Sequence, residues 1–63
     1  MTDAELDEAF ADLSDSEQHD IWEAAVDHLL DSTNYLAAPD WVRCRMITAQ
    51  IRSTMRERLK NDN

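Results

Sequence analysis

Residues 39–60, PDWVRCRMITAQIRSTMRERLK, form the longest uninterrupted helical pattern in the chain and contain all six of its Lys and Arg residues. At about 100° per residue, Trp41, Cys44, Ile47, Thr48, Ile51, Met55 and Leu59 fall along one face. Arg45, Arg52 and Arg56 share one flank of that face. Pro39 suits the first position of this helix because its missing N–H has no intrahelical partner there, and Asp40 sits well in a first turn facing the positive end of the dipole. The stretch predicts a helix over 39–60, and the 38 residues before it must supply whatever covers its apolar side.

Two cap signals divide the region upstream. Thr2-Asp3-Ala4-Glu5 has capping-box spacing, the hydroxyl serving the Glu5 amide while Glu5 reaches back. Leu6, Ala9, Phe10 and Leu13 follow at i, i+3, i+4 and i+7, so a first helix is expected over 3–12. It is short enough to depend on packing. Ser14-Asp15-Ser16-Glu17 repeats the signal and starts a second helix at once, expected over 15–31. Ile21, Trp22, Ala25, Val26 and Leu29 form its broad apolar face. Asp20, Glu23, Asp27 and Asp31 form an acidic face of i+3 and i+4 neighbours, which repel by a few tenths of a kcal/mol per pair.

Asp31 to Ala38 reads as a connection. Ser32, Thr33 and Asn34 are cap and turn formers, and Ala38 is driven out of the helical region by the proline after it. Tyr35 and Leu36 are expected to tuck against the helices, and Asn61-Asp62-Asn63 to fray. The fold class is therefore all-α, a small three-helix assembly in one domain, residues 1–63. Its expected core draws on Phe10, Leu13, Ile21, Trp22, Leu29, Trp41, Ile47, Ile51 and Met55. The last helix carries its stripe to Leu59, farther than a ten-residue first helix covers, which suggests a dimer surface.

Composition limits the function. Sixty-three residues bury only about 60% of the surface exposed on unfolding, so such a chain needs good packing, self-association or a partner. Cys44, the only cysteine, rules out an intrachain disulfide. The acidic start lacks the apolar segment of a signal peptide, and no run approaches the ~20 apolar residues of a membrane span. A cytoplasmic location without membrane contact is expected. The absence of glycine excludes a glycine-rich phosphate loop.

Charge is unevenly placed. Residues 1–42 hold twelve acids and no Lys or Arg, while residues 43–63 hold six basic residues and two acids, for a net −8. The helices either pair these charges inside the fold or present a charged face to a partner.

No constellation points to catalysis. Cys44 lies in the apolar stripe, where cysteine behaves as a small hydrophobe. His19 and Glu23 have metal-sharing spacing, but no second pair joins them, and His28 suits a helix C-terminus. No enzyme activity, cofactor or metal is expected. Arg45, Arg52, Arg56 and Lys60 could meet nucleic acid, although a connection of about seven residues exceeds the usual turn of helix-turn-helix units, and the net charge opposes phosphate contact. Conversely, Asp20, Glu23, Asp27 and Asp31, with Asp3, Asp7 and Asp12, could imitate DNA phosphates.

The favoured reading is a protein-interaction module that binds a protein partner or itself through Trp41, Arg45, Arg52, Met55 and Arg56. Reversing Arg52 and Arg56 is then expected to spare the fold and abolish binding.

In size and type the whole chain resembles the small acidic helical accessory proteins of lambdoid temperate phages, such as those of the early exo–xis region. The likeness rests on the opening Met1-Thr2-Asp3-Ala4-Glu5-Leu6-Asp7-Glu8, the lack of glycine, and the last helix around Trp41-Val42-Arg43-Cys44-Arg45. It implies modulation of host or lysis–lysogeny functions through protein contacts in the host cytoplasm, and it assigns no functional residues.

Overall fold

Two cap motifs set the first two helices. In the computed structural model, which describes residues 2–61, α1 spans Asp3–Ala11 and α2 spans Asp15–Leu30. The Thr2 hydroxyl accepts from the Glu5 amide at 3.2 Å, and the Glu5 carboxylate accepts from the Thr2 amide at 3.2 Å. That backbone hydrogen bond, with help from the Thr2 hydroxyl, holds the Glu5 carboxyl below its usual range. Ser14 caps α2 by accepting from the Glu17 amide at 3.2 Å.

The corner between these helices is tied by Gln18, a residue to which the sequence pattern gave no role. Its side-chain amide donates to the carbonyls of Phe10, Ala11 and Leu13 at 3.1, 3.2 and 3.1 Å. Carbonyls in the last turn of a helix lack intrahelical partners, so one side chain on α2 satisfies the end of α1. Gln18→Ala should cost about 1 kcal/mol, the net worth of a typical hydrogen-bonded group. Gln18→Glu should cost more, because a carboxylate would face the same carbonyls with no proton to donate. Urea midpoints rank the two variants, and equal midpoints would remove the tie from the account.

The connection after α2 contains one short helix that the sequence did not predict. Here α3 covers Thr33–Ala37, and α4 runs Asp40–Asn61. Ser32 precedes α3 in an extended conformation without a side-chain cap, and its carbonyl accepts from the Leu36 amide at 3.1 Å. Ala38 is extended, at φ −79° and ψ 147°, as a residue before proline must be. The Pro39 carbonyl accepts from Val42 and Arg43 at 3.0 Å, so Pro39 precedes α4 and does not open it. Asn61 is still helical, while Asp62 and Asn63 lie outside the described residues.

α2 and α4 pack antiparallel. Arg58, near the end of α4, meets Glu17, near the start of α2, at 3.5 Å. At the other end, the Arg43 guanidinium donates to the carbonyls of Tyr35 and Leu36 at 3.2 and 2.7 Å and lies 5.5 Å from the Tyr35 ring centroid. A cation at the negative end of α3 and over an aromatic face is doubly favoured. It fixes α3 on the first turn of α4. Tyr35 is buried as expected, but Leu36 is 52% exposed and does not tuck in.

The centre of the fold is Leu6, Ile21 and Met55, one residue from each of α1, α2 and α4, with Ala9, Phe10, Leu13, Ile51 and Leu59 packed around them. Ala25, Leu29 and Tyr35 complete the buried apolar set. α1 has nine residues and α4 has 22, or about 13.5 Å against about 33 Å at 1.5 Å per residue. α1 therefore covers only the C-terminal half of the α4 stripe, reaching Ile51, Met55 and Leu59. The uncovered excess is at the opposite end from the one expected.

Two sequence expectations fail for this reason. Trp41 is 65% exposed and Cys44 is exposed, because nothing of α1 reaches that part of the stripe. Trp22, also assigned to the core, is 46% exposed. On α2 it lies beside the line Ile21–Ala25–Leu29, not on it.

Candidate functional site

On the arginine flank of α4, Arg52 and Arg56 meet α1. Arg52 forms a two-pronged contact with Asp7, Nε to Oδ1 at 2.9 Å and Nη2 to Oδ2 at 2.7 Å. Its Nη1 is 3.6 Å from the Asp3 carboxylate, and Arg56 reaches Asp3 at 3.9 Å. The hydrogen bonds from Arg52 hold the Asp7 carboxyl below the usual aspartate range, and Asp7 in turn raises Arg52. Of the two outlets for the charge asymmetry, pairing inside the fold takes Arg52, Arg56 and Arg58.

The five residues read from sequence as a contact surface therefore separate. Met55 is 2% exposed and belongs to the core, so it offers no surface. Arg52 and Arg56 clamp α1. Only Trp41 and Arg45 face solvent without such a role, and Arg45 has no ion pair among the described residues. Arg45 lines a shallow open depression of about 220 Å³ with Cys44, Thr48 and Arg52. Thr48 donates its hydroxyl proton to the Cys44 carbonyl at 3.0 Å, leaving that hydroxyl committed to its own helix.

The other charged face is different. Asp20, Glu23 and Asp27 on α2 and Asp31 at its C-cap are all exposed. Glu23 lies 3.3 Å from His19, and none of the four meets a Lys or Arg among the described residues. No group of three metal-binding side chains occurs among those residues either. The acidic row is unneutralised.

Next to it runs an apolar band. Trp22, Val26 and Leu30 stand at i, i+4 and i+8, between the core line Ile21–Ala25–Leu29 and the acids. Trp22 and Leu30 are 46% and 47% exposed, and Val26 is half-buried. α2 thus carries three parallel bands, buried apolar, exposed apolar and acidic. The signal was present in the sequence, since Trp22 through Leu30 makes the apolar sector wider than the roughly 100° stripe a core-facing helix needs.

Exposure changes what can be asked of Trp41. A buried tryptophan costs about 3–5 kcal/mol to truncate, but this one stands in solvent. Trp41→Ala should stay within about 0.5 kcal/mol of the parent by urea denaturation. A loss of core size would put the side chain back inside.

No helix of the described residues is long and apolar enough to cross a membrane. Comparison with protein-family models, with curated proteins and with solved structures found no match.

Proposed function

We propose that this chain is a non-enzymatic protein-interaction module. The observation that supports this most is the exposure of four large apolar side chains, Trp22, Leu30, Leu36 and Trp41, on a protein of 7.3 kDa. Of these, Trp22 and Leu30 share one band of α2 with Val26, and a run of exposed apolar side chains on one helix face is the kind of surface that marks a binding site; tryptophan is among the residues that most often dominate interface energetics. A host or phage regulator as partner, acting in the cytoplasm, belongs to the same proposal and follows from the resemblance in size and acidity. So does self-association through the uncovered half of α4.

DNA contact through α4 is the weaker reading, because Arg52 and Arg56 would have to leave Asp3 and Asp7 to meet phosphates. DNA mimicry draws on the free acids of α2 but gives the neighbouring tryptophan and leucine no task.

The test is affinity capture from nuclease-treated bacterial lysate at low and moderate salt, with the parent and a Trp22→Ala/Trp41→Ala variant side by side. A stoichiometric protein that survives moderate salt on the parent and is lost on the variant supports the module. Basic DNA-binding proteins that leave as salt rises, equally from both baits, would replace it with mimicry. Sedimentation of the purified chain decides self-association.

A further inference from the structure

Building on the interaction-module reading, we infer that the docking surface is the exposed face of α2, and that its occupant is a basic amphipathic helix of a partner protein. The apolar side of that helix would lie on Trp22, Val26 and Leu30, and its Lys or Arg side chains on Asp20, Glu23, Asp27 and Asp31.

Shape gives the first argument. The band from Trp22 to Leu30 rises about 12 Å along α2, a little over two helical turns. Helices that dock on helical surfaces are anchored by side chains at i, i+3 or i+4, and i+7, so two or three anchors match this length. An extended strand would need free backbone edges, and α2 has none to offer.

Charge gives the second argument, and it selects the partner. Four carboxylates at i+3 and i+4 spacing repel one another, and no Lys or Arg among the described residues answers them. Arg52 and Arg56 are engaged on α1, Arg58 on Glu17 and Arg43 on the α3 carbonyls, while Arg45 and Lys60, though unpaired among the described residues, meet none of the four acids. A partner bringing positive charge relieves the repulsion and is steered to the face from a distance. A second copy of this chain brings the same net −8 and the same acids, and a nucleic acid brings more negative charge. Neither fits this face. The apolar band beside the acids adds what charge alone cannot, a contact that survives screening by salt.

The probe is a synthetic peptide of about 18 residues, long enough to form a helix, with leucine on one face and lysine on the other. A scrambled peptide of the same composition and a leucine–glutamate peptide serve as comparisons. In a Trp41→Phe background, Trp22 is the only tryptophan, and its emission should move to shorter wavelength when the leucine–lysine peptide binds. The patterned peptide should bind about tenfold or more tighter than the scrambled one, as expected when anchors of hot-spot size are engaged.

Three variants, each first shown to keep its helical circular dichroism, decide the location by calorimetry. Trp22→Ala with Leu30→Ser should weaken binding about tenfold or more. Neutralising Asp20, Glu23, Asp27 and Asp31 to their amides should do likewise. Neutralising four acids elsewhere, Glu8, Asp12, Asp15 and Asp40, should leave affinity within about threefold, since exposed charges remote from a contact are screened. Equal losses in the two neutralised variants would reduce the effect to net charge and overturn the proposal. Binding that is lost on Trp41→Ala but indifferent to Trp22 would move the surface to α4 and leave the module reading standing. Failure of the lysate capture, with any bait, would remove the module reading itself.

Discussion

Leu6→Ala is expected to leave most of the chain unfolded at room temperature. Leu6 is 0% exposed and packs with Ile21 and Met55 at the point where α1, α2 and α4 meet. Truncating a buried leucine costs about 2–5 kcal/mol, the upper part of that range where the site cannot collapse. A native chain holds about 0.05–0.15 kcal/mol per residue, which for this length is roughly 3–9 kcal/mol, and small domains sit low in such ranges. The loss is therefore comparable with the whole stability. The damage spreads, because nine-residue α1 cannot persist as an isolated helix. Once it detaches, Ile51, Met55 and Leu59 lose the α1 side of their cover. Circular dichroism with urea titration measures the result, and Leu36→Ala, at a residue 52% exposed, is the matched control that should barely shift the midpoint. A Leu6→Ala protein melting within a few degrees of the parent would mean that the core lies elsewhere.

The same geometry explains what could and could not be read from the chain beforehand. The caps at Thr2 and Ser14 are local, each satisfied within three residues, so the starts of α1 and α2 were legible to the residue. Ala38 and Pro39 placed the start of α4 by steric restriction alone. α3 was not legible because five residues show no periodicity, and Ser32-Thr33-Asn34 serves a helix start as well as it serves a turn. The stripe on α4 was also read correctly as a stripe. What a helical wheel omits is how far along the axis a neighbour reaches, and this misplaced Trp41 and Cys44.

The candidate site was legible in its acids and not in its cations. Asp20, Glu23, Asp27 and Asp31 are neighbours on one helix, so their spacing sufficed to group them. Arg52 and Asp7 are 45 residues apart, and no local rule joins them. Arg52 was placed on a candidate contact surface with its pairing to the acidic helices left open, and in the structure it is the clasp for α1. Exposed Trp22 and Leu30 were hidden by a different habit, that of assigning every large apolar residue on an amphipathic helix to the core.

Arg52→Glu combined with Arg56→Glu is where the structure reverses the sequence-based expectation most sharply. From the sequence alone this double substitution spares the fold and destroys a binding surface. In the structure it sets two carboxylates against Asp3 and Asp7 on the line where α1 docks. The expected result is a clear loss of thermal stability, with α1 released first, and little effect on whatever binds α2. Adding Asp7→Arg to Arg52→Glu should recover part of the loss, because the pair is restored with its signs exchanged.

Titration supplies the decisive control. The Asp7 carboxyl is held below its usual value by Arg52. Its contribution is fully present above the unfolded aspartate value and is lost as pH falls from there through the lowered folded value. In the reversed protein the sign is opposite. Carboxylates crowded by Asp3 and Asp7 repel when ionised, and protonation relieves them. The parent should therefore lose stability on acidification through that window while the variant loses less, and the gap in melting temperature should close. Added salt should narrow it at neutral pH as well, since these groups are partly exposed and open to screening. A gap that stays constant in both pH and salt would show that Arg52 and Arg56 act through packing of their aliphatic stems, and the clasp would have to be withdrawn.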